Sequence, residues 1–274
     1  MTSRASLSGV QAKLGVVKKG KKFYPCAEKE LSSHIAKFTS MGHANIVVNE
    51  YLTGIALFSI LNKDKLVDMK ISYIEGILEE ALLIERFDRN FNGKVKKIHF
   101  EEFNQLFNQS SDDKYNGSYE SLADFIDNEK SCMPLEKVKL LERIIVGFLI
   151  GNTDMHMKNF AMLYTEDGLR LSPNYDQVCA YLYDYKNIAL EINGAYSLAL
   201  GNLKAKHILN LAKTFGISET TLLHSLKKIE GNIEKAITNI EKASVPSSNK
   251  ELKTKIIEIM EKRWQGTFAL IGKK

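Results

Sequence analysis

Three side chains in the middle of the chain have the types and the spacing that phosphoryl transfer requires. Asp154 is followed five positions later by Asn159, and a second aspartate, Asp176, follows 17 positions after that. In this chemistry one carboxylate orients the acceptor hydroxyl, while an amide oxygen and a second carboxylate hold the metal ion that bridges the phosphates. Taken singly, each residue could be an ordinary turn residue. Their joint order and spacing indicate a phosphoryl-transfer site.

The order of these residues is similar to that in protein kinases, where His-Arg-Asp is followed by four residues and an Asn, and later by Asp-Phe-Gly. Here Asn152-Thr153 replaces the His-Arg pair, and Tyr175-Asp176-Gln177 stands where Asp-Phe-Gly would be. The Asp-to-Asn spacing is kept. The departures therefore lie beside the positions of the catalytic Asp and of the metal-binding Asn and Asp of protein kinases, and not at those positions.

Three further segments carry residues that a nucleotide could use, and each has an alternative interpretation. The stretch from residue 6 to residue 13 is polar and contains Gly9, so its N–H groups could approach phosphates, but it also reads as an ordinary turn. Lys37 lies in an apolar strand. If its side chain points inward, it needs an anionic partner, which would be a nucleotide phosphate together with Glu50. If it points outward, it meets solvent. Residues 85–89, Glu-Arg-Phe-Asp-Arg, could offer hinge groups to a nucleotide or form a charged loop.

Length and composition place these motifs in a globular chain with room for two lobes. The chain has 274 residues, 44% of them hydrophobic, and a net charge of +5 from 38 basic and 33 acidic residues. The lysines are spread along the chain, and no helix with clustered arginines is visible. Direct DNA binding is therefore the least favoured function.

Cysteine usage and hydropathy indicate the compartment. Cys26, Cys132 and Cys179 show neither paired nor metal-ligand spacing, which fits a reducing environment. The first residues lack the apolar segment of a signal peptide, and the apolar run at 144–150 is too short to cross a bilayer. We expect a cytoplasmic protein that does not enter a membrane; secretion by a leaderless route stays open.

The elements that must position the motifs form a strand-rich N-lobe and an all-helical C-lobe. Hydrophobic patterning predicts strands at 14–17, 22–26, 34–38, 70–73 and 80–85, and a helix at 45–61. Further helices are predicted at 135–150, 204–215, 218–243 and 248–264, a strand at 160–163 and an exposed loop at 109–119. The prediction is an α+β fold of two lobes, residues 1–88 and 89–274, with a hinge near residues 85–88.

Seven of these stretches resemble, in the same order, motifs of the HipA family of bacterial toxin Ser/Thr kinases. They are residues 6–13, 33–37, 49–51, 84–89, 110–119, 150–160 and 171–176. The most specific are Ile-Gly-Asn-Thr-Asp-Met-His-Met-Lys-Asn-Phe at 150–160 and Glu-Arg-Phe-Asp-Arg at 85–89. The residues after about 180 match only as a helical bundle. The resemblance implies a protein-kinase-like, two-lobed fold.

The resemblance also implies a role for each matching residue. Asp154 would be the catalytic base, with His156 and Lys158 beside it in the catalytic loop and Lys158 near the transferred phosphate. Mg²⁺ would be held by Asn159 and Asp176. ATP would be bound by residues of the phosphate loop, the third strand, the helix and the hinge: Ser8, Gly9, Val10, Gln11, Lys37, Glu50, Glu85, Phe87 and Asp88. Among the hinge residues, Glu85 and Phe87 would offer backbone groups to adenine, and Asp88 would reach the ribose.

Regulation and partners follow from the same resemblance. In the family a serine of the glycine-containing loop is autophosphorylated, and Ser6 and Ser8 are the matching positions. The Ser-x-Ser pair is similar to the short HipT branch, and its phosphate, with about −1.5 to −2 charges, would repel ATP. The implied partners are a HipB-like helix-turn-helix antitoxin, a small HipS-like protein that supplies an N-terminal subdomain, and a protein substrate such as an aminoacyl-tRNA synthetase. DNA would be met only through the antitoxin.

Two other functions fit the same residues. One is a pseudokinase, a binding module that sequesters a partner such as the antitoxin. The other is a small-molecule kinase in which residues 109–119 form a specificity lid instead of a surface that docks a protein.

Overall fold

An antiparallel sheet opens the part of the chain that the computed structural model describes, residues 11–40, 42–43, 45–61, 66–91 and 95–273. Its strands are β1 (Lys13–Lys19), β2 (Lys22–Pro25), β3 (His34–Lys37), β4 (Met69–Ile74) and β5 (Ile77–Glu85), in the order β2-β1-β3-β5-β4. Helix α1 (Ile46–Ile60) connects β3 to β4. Each of these elements confirms a strand or helix predicted from the sequence.

Strands β3 and β5 are paired inside this sheet, and their pairing decides where Lys37 points. Lys37 lies opposite Leu82, and His34 lies opposite Glu85. Ala36 packs on one face with Phe23 and its neighbours. Because side chains alternate along a strand, Lys37 lies on the other face, as does Ile35.

The rest of the described chain is mainly helical. Its helices are α2 (Phe103–Leu106), α3 (Tyr119–Asn128), α4 (Leu135–Leu149), α5 (Ala205–Thr214), α6 (Glu219–Lys242) and α7 (Lys250–Gly266). Helices α4 to α7 confirm the predicted ones, and Ser218 caps α6 as predicted, since its Oγ accepts from the Thr221 N–H at 3.1 Å. Within the described ranges, no helix is both long and apolar enough to span a bilayer.

The C-terminal part is not all-helical, which corrects one feature of the predicted fold. Strand β6 (Arg89–Asn90) pairs with β7 (Lys96–Lys97), while β8 (Phe100–Glu102), β9 (Ala161–Thr165) and β10 (Gly168–Leu171) form a second antiparallel sheet. Only β9 was predicted; β6, β7 and β8 have two or three residues, too few to show an alternating pattern. The division into lobes at residues 88 and 89 stays a prediction.

Helix α1 is buried on nearly all sides, and it packs most extensively against α6. Leu52 and Leu57 belong to the main core, together with residues of the C-terminal helices. Polar bonds add to this packing: Asn49 Oδ1 accepts from the Cys179 N–H at 2.8 Å, and Asn49 Nδ2 donates to the Cys179 carbonyl at 3.2 Å. Thr53 Oγ1 also donates to the Gln177 carbonyl at 2.6 Å. Helix α1 is therefore joined to the chain that immediately follows Asp176.

Candidate active site

A buried lysine between two carboxylates forms the ionic centre of the site. Lys37 Nζ donates to Glu50 Oε1 at 2.6 Å and to Asp176 Oδ1. Lys37 is only 4% exposed, so the solvent-facing alternative is excluded. Burial acts to lower the pKa of Lys37, but Asp176 and Glu50 outweigh it and raise that pKa above its usual value. The ammonium group is therefore a cation at neutral pH.

Asn159 and Asp176 are hydrogen-bonded to each other beside Lys37. Asn159 Nδ2 donates to Asp176 Oδ2 at 3.4 Å, and Asn159 Oδ1 accepts from the His156 N–H at 3.0 Å. Within the described ranges, no group of three or more His, Cys, Asp or Glu side chains could hold a metal by itself. Mg²⁺ commonly takes one or two side-chain oxygens and completes its octahedral shell with phosphates and water. An amide oxygen and a carboxylate are ligand types that Mg²⁺ accepts, and the metal-binding role of Asn159 and Asp176 stays a prediction.

The segment that carries Asp154 is fixed by two buried side chains. Asn152 Oδ1 accepts from the Asp154 N–H at 3.0 Å, and Asn152 Nδ2 donates to Gln177 Oε1 at 3.0 Å. Thr153 Oγ1 donates to the Tyr185 carbonyl. Asn152 and Thr153, the residues that replace His-Arg of protein kinases, thus tie Asp154 to the chain around Asp176.

Asp154 also has a partner that the sequence did not indicate. The Tyr115 hydroxyl donates to Asp154 Oδ1 at 2.8 Å, and the Tyr115 ring lies edge-on to His156 with centroids 5.3 Å apart. The prediction of an exposed loop at 109–119 was wrong at these positions, since Lys114 and Tyr115 are partly buried. No local pattern could show this contact, because it joins residues 39 positions apart.

His156 and Lys158 flank Met157 on the turn that leads to Asn159. Burial lowers the pKa of His156 to about 3, so its ring is neutral at pH 7. Among the described residues, neither ring nitrogen has a hydrogen-bond partner. Lys158 Nζ donates to Ser111 Oγ at 3.1 Å and lies 4.0 Å from Glu102 Oε2.

A cleft of about 270 Å³ lies between the first sheet and this segment. Aromatic and aliphatic side chains form one wall, where Phe87 stacks on Tyr175 with centroids 5.2 Å apart. Seven residues predicted from the sequence line the cleft: Lys37, Glu85, Phe87, Asp88, His156, Lys158 and Asp176. Lys13, at the end of the predicted phosphate loop, and Lys114, from the stretch at 109–119, line it as well, although neither was among the predicted site residues. An apolar wall beside several cations suits a base at one end and phosphates at the other.

The charged side chains of the hinge segment pair with one another. Asp88 accepts from Arg86 at 2.8 Å and 2.6 Å and from Arg89 Nη1 at 2.6 Å. Burial acts to raise the pKa of Asp88, but the two arginines outweigh it and leave that pKa below its usual value. The Glu85 N–H donates to the Asp68 carbonyl at 2.8 Å, so its predicted contact with adenine would use the carbonyl of Glu85.

The phosphate loop falls mostly outside the described residues. Ser6, Ser8, Gly9 and Val10 lie there, so their predicted roles stay predictions. Gln11, the last residue of the predicted set, is described, and its side chain is buried.

The pKa of His156 leads to an expected pH dependence of stability. The pKa of His156 is about 3 in the folded protein, and its ordinary value is 6.5. The unfolded chain therefore binds more protons than the folded protein between these two pH values. Stability therefore falls as the pH falls through this window, by up to about 1.4 kcal/mol per pH unit from this group. We expect His156→Gln to reduce that slope in urea unfolding curves recorded from about pH 7 to about pH 4. His224→Gln, at an exposed site on α6, is the control. Equal slopes in wild type and His156→Gln would contradict the assignment.

Known proteins match both the sequence and the fold. Residues 5–237 match the family of HipA-like C-terminal domains. The serine/threonine-protein kinase toxin HipA of Shewanella oneidensis is 27% identical over 260 residues, which cover 86% of this chain and 57% of that protein. Y4dM of Sinorhizobium fredii, provisionally named a kinase, is 27% identical over 260 residues, covering 90% of this chain and 62% of that protein. The chain thus spans less than two thirds of either relative.

Solved structures share the architecture. The complex of HipA, HipB and operator DNA from Shewanella oneidensis contains a chain with a TM-score of 0.83 and 22% identity, covering 99% of this chain and 67% of that chain. The Helicobacter pylori proinflammatory kinase CtkA gives a TM-score of 0.63 and 13% identity, covering 93% of this chain and 88% of that chain. The predicted HipA-like fold is confirmed. By its match over residues 5–237, the chain belongs to the family of HipA-like C-terminal domains.

Proposed function

We propose that this chain is an ATP-dependent serine/threonine protein kinase whose active site is the cleft described above. The arrangement of Lys37 with Glu50 and Asp176 carries the proposal. In protein kinases a lysine–glutamate pair and a metal-binding aspartate must both be in place for transfer. Here one buried lysine contacts both carboxylates. The kinase relatives support the same function at the level of the family.

The described residues divide the work of the reaction among them. Asp154 orients the acceptor hydroxyl and takes its proton, and Asn152 keeps the backbone of Asp154 in place. Lys37 and Lys158 contact phosphate oxygens. Asn159 and Asp176 hold Mg²⁺, which neutralises phosphate charge when it is bound.

Control of the enzyme is proposed to lie in the glycine-containing loop. Ser6 or Ser8 is autophosphorylated, as the resemblance to the HipT branch implies. The added charge, about −1.5 to −2, repels the phosphates of ATP and switches the kinase off.

The proposed partners come from the family and from the HipA–HipB–operator complex. A HipB-like helix-turn-helix antitoxin binds the chain and makes the only link to DNA. A HipS-like protein supplies an N-terminal subdomain, and the substrate is a translation protein such as an aminoacyl-tRNA synthetase. The reaction takes place in the cytoplasm.

Intact-mass and phosphopeptide analysis after incubation with Mg²⁺-ATP tests the proposal. We expect phosphate on Ser6 or Ser8 of the wild type and none on Asp176→Ala, which lacks a metal ligand. The double variant Ser6→Ala, Ser8→Ala should lose the loop phosphopeptide. Wild type that binds ATP yet acquires no phosphate would indicate a pseudokinase. ATP consumption that only small hydroxyl compounds stimulate would indicate a small-molecule kinase.

A further inference from the structure

We propose that the loop of residues 110–117 belongs to the catalytic machinery, with Tyr115 positioning Asp154 and Lys114 supplying a cation to the phosphates. The inference deepens the proposed function and rests on it. Sequence patterning assigned this loop to the surface, and the resemblance to the HipA family covered residues 110–119 without giving any of them a role.

The 110–117 loop is clamped to the catalytic segment along its length. The Met157 N–H donates to the Lys114 carbonyl at 3.0 Å, and Lys158 Nζ donates to Ser111 Oγ at 3.1 Å. At Gly117 the two segments approach so closely that an added Cβ would lie 1.9 Å from Met157 Cε. These contacts hold the loop at a fixed distance from Asp154.

Tyr115 uses this fixed position to hold the Asp154 carboxylate. Its hydroxyl donates to Oδ1 at 2.8 Å, and its ring rests edge-on against the buried ring of His156. A hydrogen bond to one carboxylate oxygen restricts rotation of the side chain. The base is therefore oriented before an acceptor hydroxyl arrives, which lowers the entropic cost of reaching the reactive geometry.

Lys114 also faces the cleft, and its Nζ lies 5.3 Å from the centroid of the Tyr115 ring. It lines the cavity; burial lowers its pKa, while the charges of Asp154 and Asp176 act to raise it. Lys37 is already engaged by two carboxylates, so a bound triphosphate needs further cations. An ammonium group that lines the same cleft as Lys37 and Asp176 is placed to bind phosphate oxygens.

The opposite reading makes the Tyr115 hydroxyl a block that occupies the place of the acceptor. Release of such a block would need only rotation of the Tyr115 side chain, because the Met157–Lys114 bond holds the backbone and not the ring. The backbone bond keeps the loop itself beside the catalytic segment in either case. The two interpretations predict opposite changes in kinase activity when the Tyr115 hydroxyl is removed.

Kinetics of Tyr115→Phe and Lys114→Met test the proposal. Tyr115→Phe is expected to lower kcat roughly 10- to 100-fold without changing KM for ATP. Lys114→Met is expected to weaken ATP binding about tenfold, measured as KM and by calorimetry. Tyr164→Phe is the matched control, because the Tyr164 hydroxyl also donates to a carboxylate, that of Glu101, but at an exposed site. Higher activity of Tyr115→Phe would overturn the proposal and identify a block.

Amide hydrogen exchange tests the clamp without any need for activity. If the Tyr115–Asp154 bond adds to the contacts that hold the loop, Tyr115→Phe should speed exchange at Met157 and across residues 111–117, and Tyr164→Phe should not. Unchanged exchange together with unchanged kcat would refute the role of Tyr115. If the wild type transfers no phosphate, the proposed function fails, and exchange alone then decides whether the Tyr115–Asp154 bond helps to hold the loop. Undiminished nucleotide binding by Lys114→Met would refute the role of Lys114.

Discussion

Asp154→Asn is expected to lower the rate of phosphoryl transfer by roughly 10²–10⁴-fold, the usual contribution of a general base. Asparagine keeps the shape of the side chain and can still accept from Tyr115, but it cannot take the proton of the acceptor hydroxyl. Nucleotide affinity should stay close to that of the wild type, since Lys37, Asn159 and Asp176 are unchanged. Single-turnover transfer and calorimetric ATP binding measure the two effects separately.

Asp167→Asn provides the control for this experiment, because Asp167 lies exposed in the turn between β9 and β10. It should transfer phosphate at the wild-type rate. Comparable rates for Asp154→Asn and wild type would remove Asp154 as the base. A loss of ATP binding equal to the loss of rate would show that Asp154 acts on the nucleotide instead.

Lys37→Met is expected to give the largest loss of stability, about 3–5 kcal/mol in the free energy of unfolding near neutral pH. The substitution leaves Glu50 and Asp176 close together without their shared cation, at sites where side chains are 2% and 15% exposed. Two buried carboxylates without a cation repel each other and have lost the solvation of water. Urea unfolding at fixed pH measures the difference.

The pH dependence of the Lys37→Met effect has a definite sign. Burial already raises the pKa of Glu50, so protonation of this group favours the folded state. Its stabilising effect is present at low pH and is lost as the pH rises through the folded pKa. The deficit of Lys37→Met should therefore shrink as the pH is lowered from about 8 to about 5. A deficit that grows on acidification would contradict this origin.

Lys22→Met is the matched control for Lys37→Met, because Lys22 pairs with Glu75 at 3.2 Å on the exposed side of the same sheet. Little change in unfolding is expected there, since water screens exposed ion pairs. An equally large loss of unfolding free energy in both variants would show that the burial of Lys37 is not the cause of the destabilisation.

Local patterns were sufficient to predict most of the fold. Strand β5 contains the apolar run 81–84, helix α6 repeats apolar residues at helical spacing, and Ser218 marks where α6 begins. These features depend on residues near one another in the chain. The association of Lys37 with Glu50 was one of two alternatives, since the sequence left open whether Lys37 points inward.

Features that depend on distant partners were not predictable in this way. Tyr115 reaches Asp154 across 39 positions, and Lys114 enters the cleft only because the 110–117 loop is clamped to the catalytic segment. The short strands β8 and β10 take their conformation from pairing with β9 and not from their own residues. A single sequence carries no local signal for such contacts.

The attachment of α1 limits how such an enzyme could be controlled. In protein kinases, displacement of the helix that carries the glutamate is one means of control. Here that movement would pull Asn49 from both backbone groups of Cys179, separate Thr53 from Gln177 and expose the side of α1 that packs on α6. These bonds oppose separation of α1 from the segment that follows Asp176, so we expect activity to be controlled by segments other than α1.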